Sequence, residues 1–88
     1  MPSVTVILPS ALTAPEPPAE IVCDAASVGE ALHLAVAHAP RYGQRIFYKD
    51  RLLVSVALNG RQLPPAEAKA TVLAAGDRLD LMPPIAGG

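Results

Sequence analysis

The chain has 88 residues, 51% of them hydrophobic, with seven Lys and Arg against eight Asp and Glu for a net charge of −1. That length supports one small core and not two. With three aromatic residues and no surplus of cations, the chain lacks both the stacking platforms and the phosphate-neutralising charge of a nucleic-acid binder, and no run approaches the roughly 18 apolar residues of a membrane span.

The start, Met1-Pro2-Ser3-Val4, has neither a basic region nor a signal-peptide hydrophobic stretch, so a soluble, cytoplasmic protein is expected. The single cysteine, Cys23, cannot form an intramolecular disulfide, in keeping with a reducing compartment.

Val4 to Leu8 alternates, with Val4, Val6 and Leu8 on one side and Thr5 and Ile7 on the other, the signature of a strand with one buried face. Pro9 ends it. Thr13 to Pro18 holds three prolines and reads as a loop, and Glu20 to Asp24 reads as a second strand, close enough to the first for an antiparallel hairpin. Ser27 followed by Glu30 is a capping box. A helix is expected from there to Pro40, with Val28, Leu32, Ala35, Val36 and Ala39 as its apolar stripe and His38 near the negative end of its dipole. Gly29 costs about 1 kcal/mol against Ala, in the first turn where the loss is easiest to bear.

Arg41 to Leu52 shows no clean period and concentrates Arg41, Arg45, Lys49 and Arg51. It reads as a solvated, turn-rich connection; the other reading is a basic rim for an acidic or phosphate-bearing partner. Leu53 to Leu58 is a third strand. Asn59-Gly60 favours a tight hairpin turn, and Arg61 to Leu63 is a short return strand stopped by Pro64-Pro65. Ala66 to Ala75 has room for a helical turn, and Gly76-Asp77 turns the chain into a last strand, Arg78 to Met82.

One helix covering one face of a sheet would bury Val4, Val6, Leu8, Val28, Leu32, Val36, Val54, Val56, Leu58, Leu79 and Leu81 together. The other face would then carry Thr5, Ile7, Ser55, Ala57 and Met82, with Asp80 as its one charge. Ile7, Ala57 and Met82 on that face form a candidate partner-docking surface.

The sequence ends Pro83-Pro84-Ile85-Ala86-Gly87-Gly88. Two prolines lack amide hydrogens and cannot extend the ladder, so the segment should leave the domain extended, reaching roughly 20 Å beyond it. Ile85 is one apolar anchor, and Ala86, Gly87 and Gly88 are small enough to thread a narrow channel with the carboxylate leading. The division is a folded domain over 1–82 and a tail over 83–88.

With Leu58-Asn59-Gly60 at the hairpin, Gly76-Asp77 before the last strand and Met82-Pro83-Pro84-Ile85-Ala86-Gly87-Gly88 at the end, the chain resembles the ubiquitin-like β-grasp sulfur carriers, the small subunit of molybdopterin synthase among them. That resemblance implies an α+β fold, a mixed four- to five-stranded sheet on one main helix with an extended tail. It implies sulfur attachment at Gly88 after adenylation, with Pro83, Pro84, Ile85, Ala86 and Gly87 threading into a partner. The expected partners are a ubiquitin-activating-type adenylating enzyme that uses ATP, a sulfur donor, and a sulfur-accepting enzyme such as the large subunit of molybdopterin synthase. Carriers for cysteine or another sulfur-containing metabolite share these features, as do modifiers joined through Gly88 to lysine amines; a plain interaction module is the remaining alternative.

A carrier of this kind needs no catalytic residue, bound cofactor or metal of its own, and the residues agree. His33 and His38 are separated by about 140° around a helix and make no i, i+4 metal pair. Cys23 has no His or CxxC companion and reads as a buried structural thiol. Neither GxxxxGK[ST] nor GxGxxG is present, so no phosphate cradle is encoded.

Overall fold

The computed structural model describes residues 2–48, 51–64 and 66–83. Strand β1 (Ser3–Leu8) is followed by a single-turn helix α1 (Ser10–Thr13), β2 (Ala19–Asp24) and the main helix α2 (Val28–His38). A 3-10 turn at Pro40–Tyr42 runs into a second short helix, α3 (Gly43–Ile46), and a small hairpin of β3 (Phe47–Tyr48) and β4 (Arg51–Leu52). Then come β5 (Ser55–Leu58), β6 (Arg61–Gln62), a 3-10 turn at Ala68–Ala70 and β7 (Arg78–Met82).

The main sheet is mixed and five-stranded, in the order β2-β1-β7-β5-β6. Strands β1 and β2 pair antiparallel from Ser3↔Asp24 to Leu8↔Ala19, as their closeness in the chain predicts. The last strand enters between the first and the fifth, parallel to β1 through Val6↔Leu79 and antiparallel to β5 through Val56↔Leu81. The expected α+β grasp of one sheet around one principal helix is therefore the fold observed.

Helix α2 begins as its capping box requires. The Glu30 amide donates to Ser27 Oγ at 3.3 Å, satisfying an orphan first-turn donor, and the Glu30 carboxylate reaches back one residue beyond the N-cap to accept from the Ala26 amide at 3.3 Å. Gly29 has a structural reason beyond tolerance: a Cβ there would stand 3.1 Å from the Lys69 carbonyl oxygen, because the 68–70 turn lies across the start of the helix.

The core holds Val4, Val6, Leu8, Val28, Leu32, Val54, Val56, Leu79 and Leu81, all expected there. Val36 and Leu58 are only half-buried and pack at its edge. Leu12, Tyr42, Ile46, Leu63, Ala68 and Leu73 join it as well, all but Leu63 from segments whose sequence has no strand or helix period.

The largest difference concerns Arg41 to Leu52, whose described cations are exposed as expected but which is also built into the core. Tyr42 and Ile46 are buried there, and two of its cations are structural. Arg45 Nη1 donates to the carbonyls of Leu12 at 2.6 Å and Ala14 at 3.1 Å, while Arg41 Nε pairs with Glu16 at 3.2 Å. The Tyr42 hydroxyl donates to the same Glu16 carboxylate at 2.6 Å, which holds its pKa above the ordinary tyrosine value. The proline-rich loop after α1 is thus pinned by side chains some thirty residues downstream. Replacing Arg45 with Ala should cost about 1–2 kcal/mol in urea unfolding, since charged hydrogen bonds to two carbonyls are lost, with little change in the folded spectrum.

Candidate functional site

β7 occupies the centre of the sheet and delivers the tail. Its ladder to β5 closes with Ser55↔Met82, and Pro83, with no amide hydrogen, cannot add another bond. Pro83 is half-buried. The predicted threading residues Pro84, Ile85, Ala86 and Gly87, and the predicted attachment residue Gly88, lie outside the described residues.

At the root of the tail, Met82 and Pro83 border a small hollow of about 90 Å³ completed by Ser55, Val56, Ala57 and Gln62. Two of the three predicted docking residues, Ala57 and Met82, meet there; Met82 is 58% exposed. Ile7 does not line the hollow. It sits in the same cross-strand row as Ala57 but two strands away, opposite Asp80 across β1 and β7, and Asp80 in turn stands opposite Ala57. Gln62 was not singled out from the sequence, yet its position follows from the Asn59-Gly60 turn. A two-residue connection sets Leu58 opposite Arg61 and Ala57 opposite Gln62, and the φ values of 50° at Asn59 and 87° at Gly60 are those such a turn demands.

The outer face carries more charge than expected. Arg78 lies beside Asp80 on it, with Nη2 3.0 Å and Nε 3.2 Å from Oδ1, and β2 adds Glu20 and Asp24 at its margin. The period of two along β7 put Arg78 there from the start, because it shares a face with Asp80 and Met82. Paired in this way, Asp80 presents little net charge to a partner, and the hollow's lining holds no titratable side chain. The hollow can offer shape and apolar contact beside Pro83.

Gly76-Asp77 does more than turn the chain. The Asp77 carboxylate accepts from the Ala74 amide at 2.7 Å and from Asn59 Nδ2 at 2.9 Å, and Asn59 Oδ1 accepts from the Arg78 amide at 2.9 Å. The two turn motifs therefore lock onto each other and fix where β7 begins. Those donors, the Ala74 amide above all, hold the Asp77 carboxyl below the ordinary aspartate range. A lowered folded-state pKa means stabilisation that is complete above the unfolded value, near pH 4, and disappears as pH falls through the folded value. Asp77→Asn should accordingly lower the unfolding midpoint at pH 7, and the gap from the parent should close as urea titrations are taken below pH 4.

Cys23 is half-buried and its Sγ faces the Ala31 carbonyl at 3.9 Å. Desolvation, then Asp24 and Glu30, raises its pKa, so the thiolate is disfavoured and the structural reading stands. His33 stacks on Phe47 with centroids 4.7 Å apart, away from His38 in role. Among the described residues no cluster of His, Cys, Asp and Glu could hold a metal ion, and no helix is long and apolar enough to cross a membrane.

The fold and the site define a ubiquitin-like β-grasp protein, of the class that carries sulfur or modifies other proteins. The chain belongs to the ThiS family, which it matches over residues 12–88. Among solved structures it is similar to SAMP1 from Haloferax volcanii at 29% identity, covering 98% of this chain and 99% of that one with a TM-score of 0.70. It is similar also to the small archaeal modifier protein 1 of Methanosarcina acetivorans, at 24% identity over 100% and 98% of the two chains, TM-score 0.77. A third is the thiamine biosynthesis protein ThiS from Geobacter metallireducens, at 27% identity over 98% and 99%, TM-score 0.50. No curated protein matches the chain.

Proposed function

We propose that the chain is a sulfur carrier acting through the carboxylate of Gly88. A carboxylate resists nucleophiles because of its charge, and oxide is a poor leaving group, so activation must come first. An adenylating enzyme of the ubiquitin-activating type joins Gly88 to AMP with release of pyrophosphate from ATP. A sulfur donor then displaces AMP, and the thiocarboxylate passes its sulfur to a substrate held by a partner enzyme. Membership of the ThiS family carries this reading, and the exit of β7 at Met82-Pro83 beside an apolar hollow supports it.

In this scheme Pro83, Pro84, Ile85, Ala86 and Gly87 carry the carboxylate into the partner, and Ile7, Ala57 and Met82 seat the domain against it. The ending resembles that of the small subunit of molybdopterin synthase, which makes a molybdopterin precursor held by the large subunit the first acceptor to test, ahead of cysteine or another sulfur-containing metabolite. The second reading is a protein modifier joined through Gly88 to lysine amines, favoured by the 29% identity to SAMP1 across nearly the whole of both chains.

Intact mass spectrometry separates them. The chain is incubated with ATP, an adenylating enzyme of the family and a sulfur donor. The carrier shows a mass increase matching exchange of one oxygen for sulfur and transfers that sulfur to a small molecule. Lysine-linked adducts with no sulfur transfer establish the modifier, and neither product, from an adenylating enzyme shown to be active, overturns both.

A further inference from the structure

β2 forms one margin of the sheet, and its register leaves a row of main-chain groups unused. The Ala25 amide donates to the Pro2 carbonyl at 2.9 Å, so in the antiparallel pairing with β1 it is Ala19, Ile21 and Cys23 that exchange bonds with Leu8, Val6 and Val4. The intervening pairs, Ile7–Glu20, Thr5–Val22 and Ser3–Asp24, are the unbonded kind: the Thr5 amide donates to Asp77 instead, and the Ser3 carbonyl accepts from Gly76. The amides and carbonyls of Glu20, Val22 and Asp24 therefore point off the sheet. Among the described residues nothing pairs with them.

The opposite margin is blunted, since β6 has two residues and Pro64 follows close behind. β2 has six residues, and Glu20, Val22 and Asp24 are all exposed, Val22 by 64%. Beneath its first half, on the helix side, runs a groove of about 400 Å³ between Ala19 to Ile21 of β2 and the stretch from His38 to Tyr42, where Arg41 is already paired with Glu16.

We propose that this margin takes up an extended strand of a partner protein, one with basic side chains at alternate positions on either side of an apolar one. Three residues facing outward allow three pairs that each exchange two main-chain bonds with an antiparallel strand. Directly opposite Glu20 and Asp24 a cation is favoured, and opposite Val22 an apolar side chain. The alternate residues of the added strand turn to the other face, where the groove receives them. A second copy of this chain fits poorly, because antiparallel pairing of two β2 strands centred on Val22 sets Glu20 opposite Asp24 twice, like charge on like charge. This surface lies two strands from the tail and is separate from the hollow at Met82.

The test is a titration of the ¹⁵N-labelled full chain with a peptide containing Lys-Ile-Val-Ile-Lys, beside a control containing Glu-Ile-Val-Ile-Glu. The basic peptide should bind saturably and slow amide exchange at Glu20, Val22 and Asp24, and it should bind a chain lacking Gly87 and Gly88 equally well. The double variant Glu20→Lys with Asp24→Lys changes only exposed side chains; it should weaken the basic peptide by roughly tenfold and prefer the acidic one. Val22→Pro removes an outward amide hydrogen and no β1–β2 bond, so the fold persists while binding is lost. Absence of saturable binding, equal affinity for both peptides, shifts confined to Ala57 and Met82, or a dimer of the free chain dispersed by Val22→Pro would overturn the proposal.

Discussion

A chain lacking Gly87 and Gly88 should fold as the parent does and accept no sulfur at all. Every core residue of the domain lies within residues 4–81, so the unfolding free energy should stay within about 0.5 kcal/mol of the parent. In the proposed scheme, in contrast, the chemistry is confined to one carboxyl group, and the truncated chain would present a different carboxylate, that of Ala86, short of the reacting atoms. Displacement of about an ångström can cost a hundredfold in rate; two missing residues withdraw the group by roughly 7 Å. Intact mass measurement should show no exchange of oxygen for sulfur under conditions that convert the full chain. Conversion at an undiminished rate would remove Gly88 from the mechanism and leave the domain surface as the only functional element.

Leu79→Ala should act the other way, on the fold before the chemistry. Leu79 is 0% exposed on the central strand, between Val6 of β1 and Leu58 of β5, and it cannot be replaced by movement of one neighbour because the sheet is paired on both sides. Loss of three carbons and the residual cavity costs about 3–4 kcal/mol. For a chain of this size, total stability is on the order of 4–13 kcal/mol, so a large share is removed. Urea titration should show a lower midpoint at an unchanged slope. Met82→Ala on the same strand, exposed by 58%, should cost under about 1 kcal/mol and instead weaken association with the adenylating enzyme. The pair of variants separates the strand as scaffold from the strand as docking surface.

Much of this architecture was legible in advance because its causes are local. Period-two alternation marks β1, β5 and β7; the Ser27–Glu30 box marks the start of α2; Asn59-Gly60 sets a hairpin and, through it, the place of Gln62 beside Ala57. Each of these is decided within a few residues by backbone sterics, a cap or the side-chain repeat. That Ala57 and Met82 share a face was legible for the same reason, since an alternating strand states which side chains lie together.

What the sequence by itself determined, then, is the principal strands and helix, the buried faces of β1, α2, β5 and β7, the Asn59-Gly60 hairpin and the character of the ending. Only the tertiary structure decided that β7 inserts between β1 and β5, that Asn59 and Asp77 lock two turns together, and that Arg41, Tyr42 and Arg45 hold the proline-rich loop. The open margin of β2 belongs to this second set, because a strand has a free side only once every other strand has been placed. Local rules depend on neighbours in the chain, whereas partners some 18 to 33 residues apart, such as Asn59 with Asp77 or Arg45 with Leu12, are chosen by the closing of the whole sheet around its helix.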